Sequence, residues 1–195
     1  MRLAAVGLAT TTVSGRALAG IERPESDKEA VSPAVELPPQ IGDRLTYTSK
    51  RRKGEIIRLE DIPLADKQIM AVPMDKKNGI VRDASKYNWI MLQRFEAGEL
   101  GGNTQARAPQ GIVGYSAICT HMGCIVSSWD RRRQGYMCPC HQTVFDPRHS
   151  GDILYGPAPR RLPSIPIHVE DGELVIAGDF DQTPGFGKPE EIKRL

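Results

Sequence analysis

Ile165-Pro-Ile-His-Val-Glu-Asp-Gly-Glu-Leu-Val-Ile-Ala177 is the clearest local pattern in the chain. Ile165, Ile167 and Val169 alternate with Pro166, His168 and Glu170, the period of a strand with one buried face. Asp171-Gly172 follows, and then a second run from Glu173 to Ala177. Asp-Gly between two such runs predicts a two-residue hairpin, because type I′ turns need positive φ at both central positions. Outward from this hairpin, Glu55-Ile-Ile-Arg-Leu59, Gln68-Ile-Met-Ala-Val72, Trp89-Ile-Met-Leu-Gln-Arg94 and Gly111-Ile-Val-Gly-Tyr-Ser116 read as further strands. No stretch sustains a 3.6-residue apolar period over four turns. Fifteen Pro and 19 Gly imply short elements joined by many turns. The expectation is an all-β domain over residues 41–180.

With 195 residues, 39% hydrophobic and 26% charged, the composition is that of one globular domain, or one domain plus a tail. The formal net charge of +2 gives no bias toward nucleic acid. No run approaches the roughly 18 apolar residues of a membrane-spanning helix. Residues 1–19 read as a secretory signal peptide, with basic Met1-Arg2, an apolar stretch from Leu3 to Val13, and Ala17-Leu-Ala19 as cleavage site. The alternative is an Ala-rich start of a cytosolic protein. Export would bring the chain into an oxidising compartment. Residues 20–40, interrupted by Pro24, Pro33, Pro38 and Pro39, read as a stiff linker, and 181–195 as a C-terminal tail.

All four cysteines fall between positions 119 and 140, a clustering that usually marks a metal. Cys119-Thr-His121 is C-x-H; sixteen residues further on, Cys138-Pro-Cys-His141 is C-x2-H. Two thiolates and two imidazoles on paired short loops can hold a tetrahedral zinc. They can equally hold a two-iron cluster in which two His replace two Cys on one iron. Structural zinc sites usually pair like ligands on each knuckle. Here each loop carries one Cys and one His, which suits a cysteine iron and a histidine iron. Gly123 and Pro139 supply tight turns.

Cys119-Thr-His-Met-Gly-Cys124 and Cys138-Pro-Cys-His141 resemble the two cluster-binding boxes of Rieske [2Fe-2S] proteins, of the type found in cytochrome bc complexes and in the arsenite oxidase small subunit. The resemblance runs from about Gly111 to Ala177. It implies an antiparallel β-sandwich with a small cluster-binding subdomain at about 117–160, and one [2Fe-2S] cluster. By the same resemblance Cys119 and Cys138 are ligands of one iron, His121 and His141 ligands of the other, and Cys124 and Cys140 a disulfide. Gly156-Pro157-Ala-Pro159 resembles the family's proline loop, which closes over the cluster. The cytochrome bc pattern continues the second box as Gly-Ser-x-Tyr-Asp, where this chain has Gln142-Thr143-Val144-Phe145-Asp146. Thr143 keeps a hydroxyl able to donate to a cluster sulfur, while Phe145 stands where a tyrosine would donate to a cysteine ligand. Hydrogen bonds to sulfur stabilise the reduced cluster, so the loss of one predicts a lower potential. Val144-Phe-Asp-Pro147 and Tyr115-Ser116 are more similar to the arsenite oxidase small subunit, and the proline loop to the bc type.

The implied function is electron transfer, as a subunit of an exported quinol:cytochrome c oxidoreductase with no substrate-transforming site in this chain. The alternatives are the small subunit of an arsenite-oxidase-like molybdenum enzyme and a ferredoxin component of a ring-hydroxylating oxygenase. A hydroxylase also needs a mononuclear iron held by two His and a carboxylate, and the 54 residues after His141 contain just His149 and His168. The implied partners are a quinol-oxidising or molybdenum-containing subunit and a c-type cytochrome as acceptor, with no nucleic acid. The expected location is the periplasm, or the periplasmic face of the cytoplasmic membrane. A bc-type subunit normally has an anchor helix. Either residues upstream of Met1 supply one, or the protein is released after cleavage and meets the membrane through its partners. Arg131-Arg132-Arg133 and Arg160-Arg161 read as solvated turn residues or docking cations, and His149 and His168 as surface or sheet residues.

Overall fold

The structure is a computed structural model that describes residues 33–64 and 67–186. The signal-peptide reading at 1–19, residues 20–32 of the expected linker and the tail beyond Phe186 lie outside the described residues.

Four strands come first: β1 (Arg44–Tyr47), β2 (Ile69–Met74), β3 (Ile90–Arg94) and β4 (Ile112–Ser116). Four short ones follow: β5 (Ser128–Asp130), β6 (Gly135–Met137), β7 (Val144–Asp146) and β8 (Asp152–Tyr155). The chain then returns through β9 (Ser164–Ile165), β10 (Ile167–Glu170) and β11 (Glu173–Ile176). The expected hairpin is present. Glu170 pairs with Glu173, and Asp171 and Gly172 have φ of 52° and 78°.

A seven-stranded antiparallel sheet runs in the order β10-β11-β1-β2-β3-β4-β9. Its two edge strands are consecutive in the chain and separated by Pro166 alone, so the sheet curls nearly shut. Proline has no N–H to donate to a ladder and suits that corner. Gly114 on β4 lies at the close approach, where a Cβ would sit 2.9 Å from the Ile165 carbonyl oxygen. Leu45, Ile57, Leu92, Ile112, Ile165, Ile167, Leu174 and Ile176 fill the interior. The all-β expectation holds.

Glu55–Leu59 differs from its strand expectation. Ile56 and Arg58 make isolated bridges, and Leu59–Asp61 is a 3-10 turn. Ile57 donates to the Leu45 carbonyl on β1 (2.8 Å) and accepts from Leu174 N on β11 (3.1 Å). Its bonds are divided between two strands, one bridge to each, so it builds no continuous ladder with either.

Between β4 and β9 the chain builds a separate four-stranded antiparallel sheet, β5-β6-β7-β8. The connections β4–β5 and β6–β7 carry the two cysteine–histidine boxes. Tyr115, Tyr136, Phe145, Phe95, Met91 and Leu162 form the core beneath them, together with Cys119 and Cys138. A six-residue helix, Gly102–Arg107, precedes β4 and is too short for its period to be legible. Among the described residues no helix is long and apolar enough to cross a membrane.

One buried ion pair secures the start of the large sheet. Arg82 Nε meets Asp43 Oδ2 at 2.8 Å with both side chains 4% exposed, and Arg82 also reaches Asp75 Oδ2 (3.2 Å) and the Ala34 carbonyl (3.0 Å). Removing one member of such a pair strands a buried charge, at a cost of about 3–5 kcal/mol. Asp43→Ala should therefore lower the unfolding free energy by about 3 kcal/mol in urea denaturation. A loss under about 1 kcal/mol would mean that Asp75 alone satisfies the guanidinium.

Candidate metal centre

Each box is a loop turned back on its own first cysteine. In the first, Ile118 bridges Ile125 and, inside that bridge, Cys119 N donates to the Cys124 carbonyl (2.8 Å). Gly123 N donates to the Cys119 carbonyl (3.0 Å), and Gly123 takes φ of 71°, which glycine adopts without steric cost. In the second box Cys138 N donates to the Thr143 carbonyl (2.9 Å), and Gln142 takes φ of 56°. Both loops thus start from a buried cysteine, each 1% exposed, and carry their histidine outward.

The two histidines converge. His121 Nδ1 and His141 Nδ1 lie 3.2 Å apart, with the rings edge to face at 4.6 Å between centroids. A tetrahedral metal with metal–nitrogen bonds of about 2.0–2.1 Å separates two ligand nitrogens by about 3.3 Å. The imidazole pair has that bite. Cys119 and Cys138 are the free cysteines, side by side and buried. Burial pushes the Cys119 thiol up to about 11, while the backbone N–H groups of His121 and Met122 work in the opposite direction. A metal that binds there displaces the proton.

Cys124 and Cys140 form a disulfide, with Cα atoms 6.6 Å apart and a sequence separation of 16. The Cys138 sulfur lies within 4.8 Å of both. That trio is not a donor set, because sulfurs bonded to each other are not thiolates.

Thr143 is fully buried, and among the described residues its hydroxyl has no hydrogen-bond partner. An unpaired buried hydroxyl costs about 1–3 kcal/mol, and a sulfur-rich group against the second box would satisfy it. Gly156 takes φ of 99°, and a Cβ there would lie 2.5 Å from Thr143 Cα. The proline loop therefore lies directly on the second box, with Pro157 exposed and Ala158 buried. Phe145 is fully buried in the same cluster as Cys119 and Cys138.

Sequence reasoning missed Tyr136 and Thr120. Tyr136 is fully buried, packs edge-on to Tyr115 (6.0 Å) and Trp129 (5.7 Å), and has no hydroxyl partner among the described residues. Its place in β6, two residues before Cys138, was a usable signal. Thr120 Oγ1 donates to the Arg160 carbonyl (2.6 Å), which joins the first box to the end of the proline loop. His149 pairs with Asp146 (2.8 Å) and His168 lies within β10; neither is brought to the boxes. Arg131–Arg133 form the exposed β5–β6 turn, where Asp130 accepts from Arg132 N and Arg133 N.

Residues 98–166 match the family model described as the Rieske [2Fe-2S] domain. The cytochrome bc1 complex Rieske iron-sulfur subunit of Streptomyces lividans is 43% identical over 98 residues, covering 49% of this chain and 58% of the relative. That of Corynebacterium diphtheriae is 49% identical over 72 residues, covering 36% of this chain and 18% of the relative. The chain thus spans less than two thirds of the length of either. A solved structure, the soluble domain of Rieske protein II from Sulfolobus acidocaldarius, is 20% identical with a TM-score of 0.37, over 51% of this chain and 65% of that one. Over residues 98–166 the chain is therefore similar to the Rieske [2Fe-2S] domain, a domain that takes one [2Fe-2S] cluster.

Proposed function

We propose that this chain is the electron-carrying subunit of an exported quinol:cytochrome c oxidoreductase of the cytochrome bc type. Cys119 and Cys138 hold one iron, and His121 and His141 hold the other. The observation that carries this reading is the 3.2 Å approach of the two Nδ1 atoms beside two buried free thiols. Relatives named as cytochrome bc1 complex subunits support a quinol-oxidising partner over a molybdenum-containing one. A c-type cytochrome is the acceptor that the proposal implies, and periplasmic export is the location.

The bound cluster supplies one-electron storage at a raised potential, since neutral imidazoles stand in for two thiolates. The residues divide the remaining work. Cys119 and Cys138, 1% exposed, keep water from the inner side. His121 and the exposed His141 form the outer edge that a partner can reach. With Nδ1 given to metal, Nε2 is the proton-bearing atom of each ring, so a change of charge inside can be matched by a proton there. The unpaired Thr143 hydroxyl would donate toward a cluster sulfur, and Phe145 fills the neighbouring volume without a donor.

Replacing Cys119, His121, Cys138 or His141 with Ala should abolish the reduced EPR signal and the dithionite-bleachable absorption. A normal spectrum in any of the four sinks the ligand set. Joint replacement of Cys124 and Cys140 with Ser should keep the spectrum but cost about 2–5 kcal/mol of stability in denaturant. The oxidised, denatured wild-type chain should titrate two thiols; four would refute the bridge.

Phe145→Tyr should add an O–H···S bond and raise the potential by tens of millivolts, since about 59 mV is a tenfold change for one electron. Thr143→Val should lower it. Protein-film voltammetry at about pH 7 reads both. An unchanged or lowered potential in Phe145→Tyr would mean that the ring does not face a ligand sulfur.

A further inference from the structure

Beyond β11 the chain crosses to the side of the first box. Asp181 accepts from Ser164 N (2.9 Å) and Oγ (2.6 Å) and pairs with Arg161 (3.0 Å). The Arg160 guanidinium then takes three acceptors from the next residues: Gln182 Oε1 (3.2 Å), the Thr183 carbonyl (2.9 Å) and the Gly185 carbonyl (2.7 Å). Gly185, at φ of 106°, rests on the Tyr87 ring, where a Cβ would fall 2.7 Å from Cε1. Phe186 finally covers Gly123, the turn glycine of the first box: a Cβ on Gly123 would lie 2.7 Å from that ring. Lys86 Nζ donates to the Gly123 carbonyl (3.0 Å).

The tether is polar. A cavity of about 410 Å³ lined by Pro38, Tyr87, Phe180, Pro184 and Phe186 adjoins the segment, so packing beside the contacts at Gly123 and Tyr87 is incomplete. Arg160 supplies the side-chain hydrogen bonds that reach Gln182, Thr183 and Gly185. It also differs from Arg161 beside it, which is paired with Asp181. Among the described residues every acceptor of Arg160 is neutral, and its Nε is buried with no partner. A half-buried cation with no carboxylate keeps its whole charge, and in a partly desolvated setting that charge acts more strongly on its neighbours than it would in water. Its own backbone carbonyl takes the Thr120 hydroxyl bond, between Cys119 and His121.

We propose that Arg160 is a positioning residue for the cluster: its side chain clamps residues 182–186 across the first box, and its uncompensated charge favours the reduced cluster. The effect on potential rests on the cluster reading above; the clamp does not.

Three chains decide it: wild type, Arg160→Gln and Arg160→Lys. Hydrogen exchange of amides in 180–186 reads the clamp, and film voltammetry reads the charge. Arg160→Gln should speed that exchange and lower the reduction equilibrium constant three- to tenfold, roughly 28–59 mV. Arg160→Lys, which cannot span three acceptors but keeps the charge, should speed exchange and stay within threefold of wild type in the equilibrium constant. Unchanged exchange in Arg160→Gln overturns the clamp. A wild-type potential in Arg160→Gln, or an equal fall in both variants, overturns the role of the charge. A wild-type chain with no cluster spectrum would overturn the cluster reading and with it the effect on potential, while the exchange comparison still decides the clamp.

Discussion

Two six-residue loops must hold two imidazole nitrogens 3.2 Å apart at the surface while their cysteines stay buried. The bond between Cys124 and Cys140 is the constraint on which this depends. Cys124 is half-buried and Cys140 exposed, so apolar packing cannot bind the loops together on that side. A covalent link spanning 16 residues removes about 3 kcal/mol of loop entropy from the unfolded chain. It also leaves the two buried thiols as the cysteines that a metal can use.

The large sheet supplies the platform. β4 and β9 are neighbours in it, with Gly114 opposite Ile165 and Ser116 N donating to the Pro163 carbonyl (2.9 Å). The whole cluster-bearing insertion therefore leaves and re-enters the sheet at one neck. Strands of three and four residues would not hold together alone. In a chain with 6% aromatic residues, Phe95, Tyr115, Trp129, Tyr136 and Phe145 concentrate under the boxes. The aromatic content was spent at the place where area per residue counts most.

What could be read in advance follows from locality. The Asp171-Gly172 hairpin and the strands at 69–74, 90–94 and 112–116 carry their signal within a few adjacent residues. The two boxes carry theirs in residue type and spacing, and so did the Cys124–Cys140 bridge once the resemblance was drawn. Glu55–Leu59 misled because its apolar alternation is real, but its hydrogen bonds go to two strands brought together from distant parts of the chain. Residues 181–186, expected as part of a tail, make their contacts through Arg160, Arg161, Ser164 and Gly123. No local pattern announces such contacts, because each is a single side chain meeting a distant backbone atom.

On the proposed function, the groups near the boxes act on the cluster in one direction and differ in reach. Thr143 and Arg160 would both favour added negative charge, the first with a directed donor and the second with an undirected cation. Phe145 withholds the donor that a tyrosine would supply. A hydroxyl–sulfur bond acts over one contact and depends on loop geometry, whereas a charge acts through a falling potential and tolerates displacement. Arg160 nonetheless ties its charge to geometry, because the atoms that carry the charge also hold 182–186 in place. Electrostatics and loop order at this site are therefore coupled through one guanidinium, and a change in the cover over Gly123 reaches the cluster by both routes.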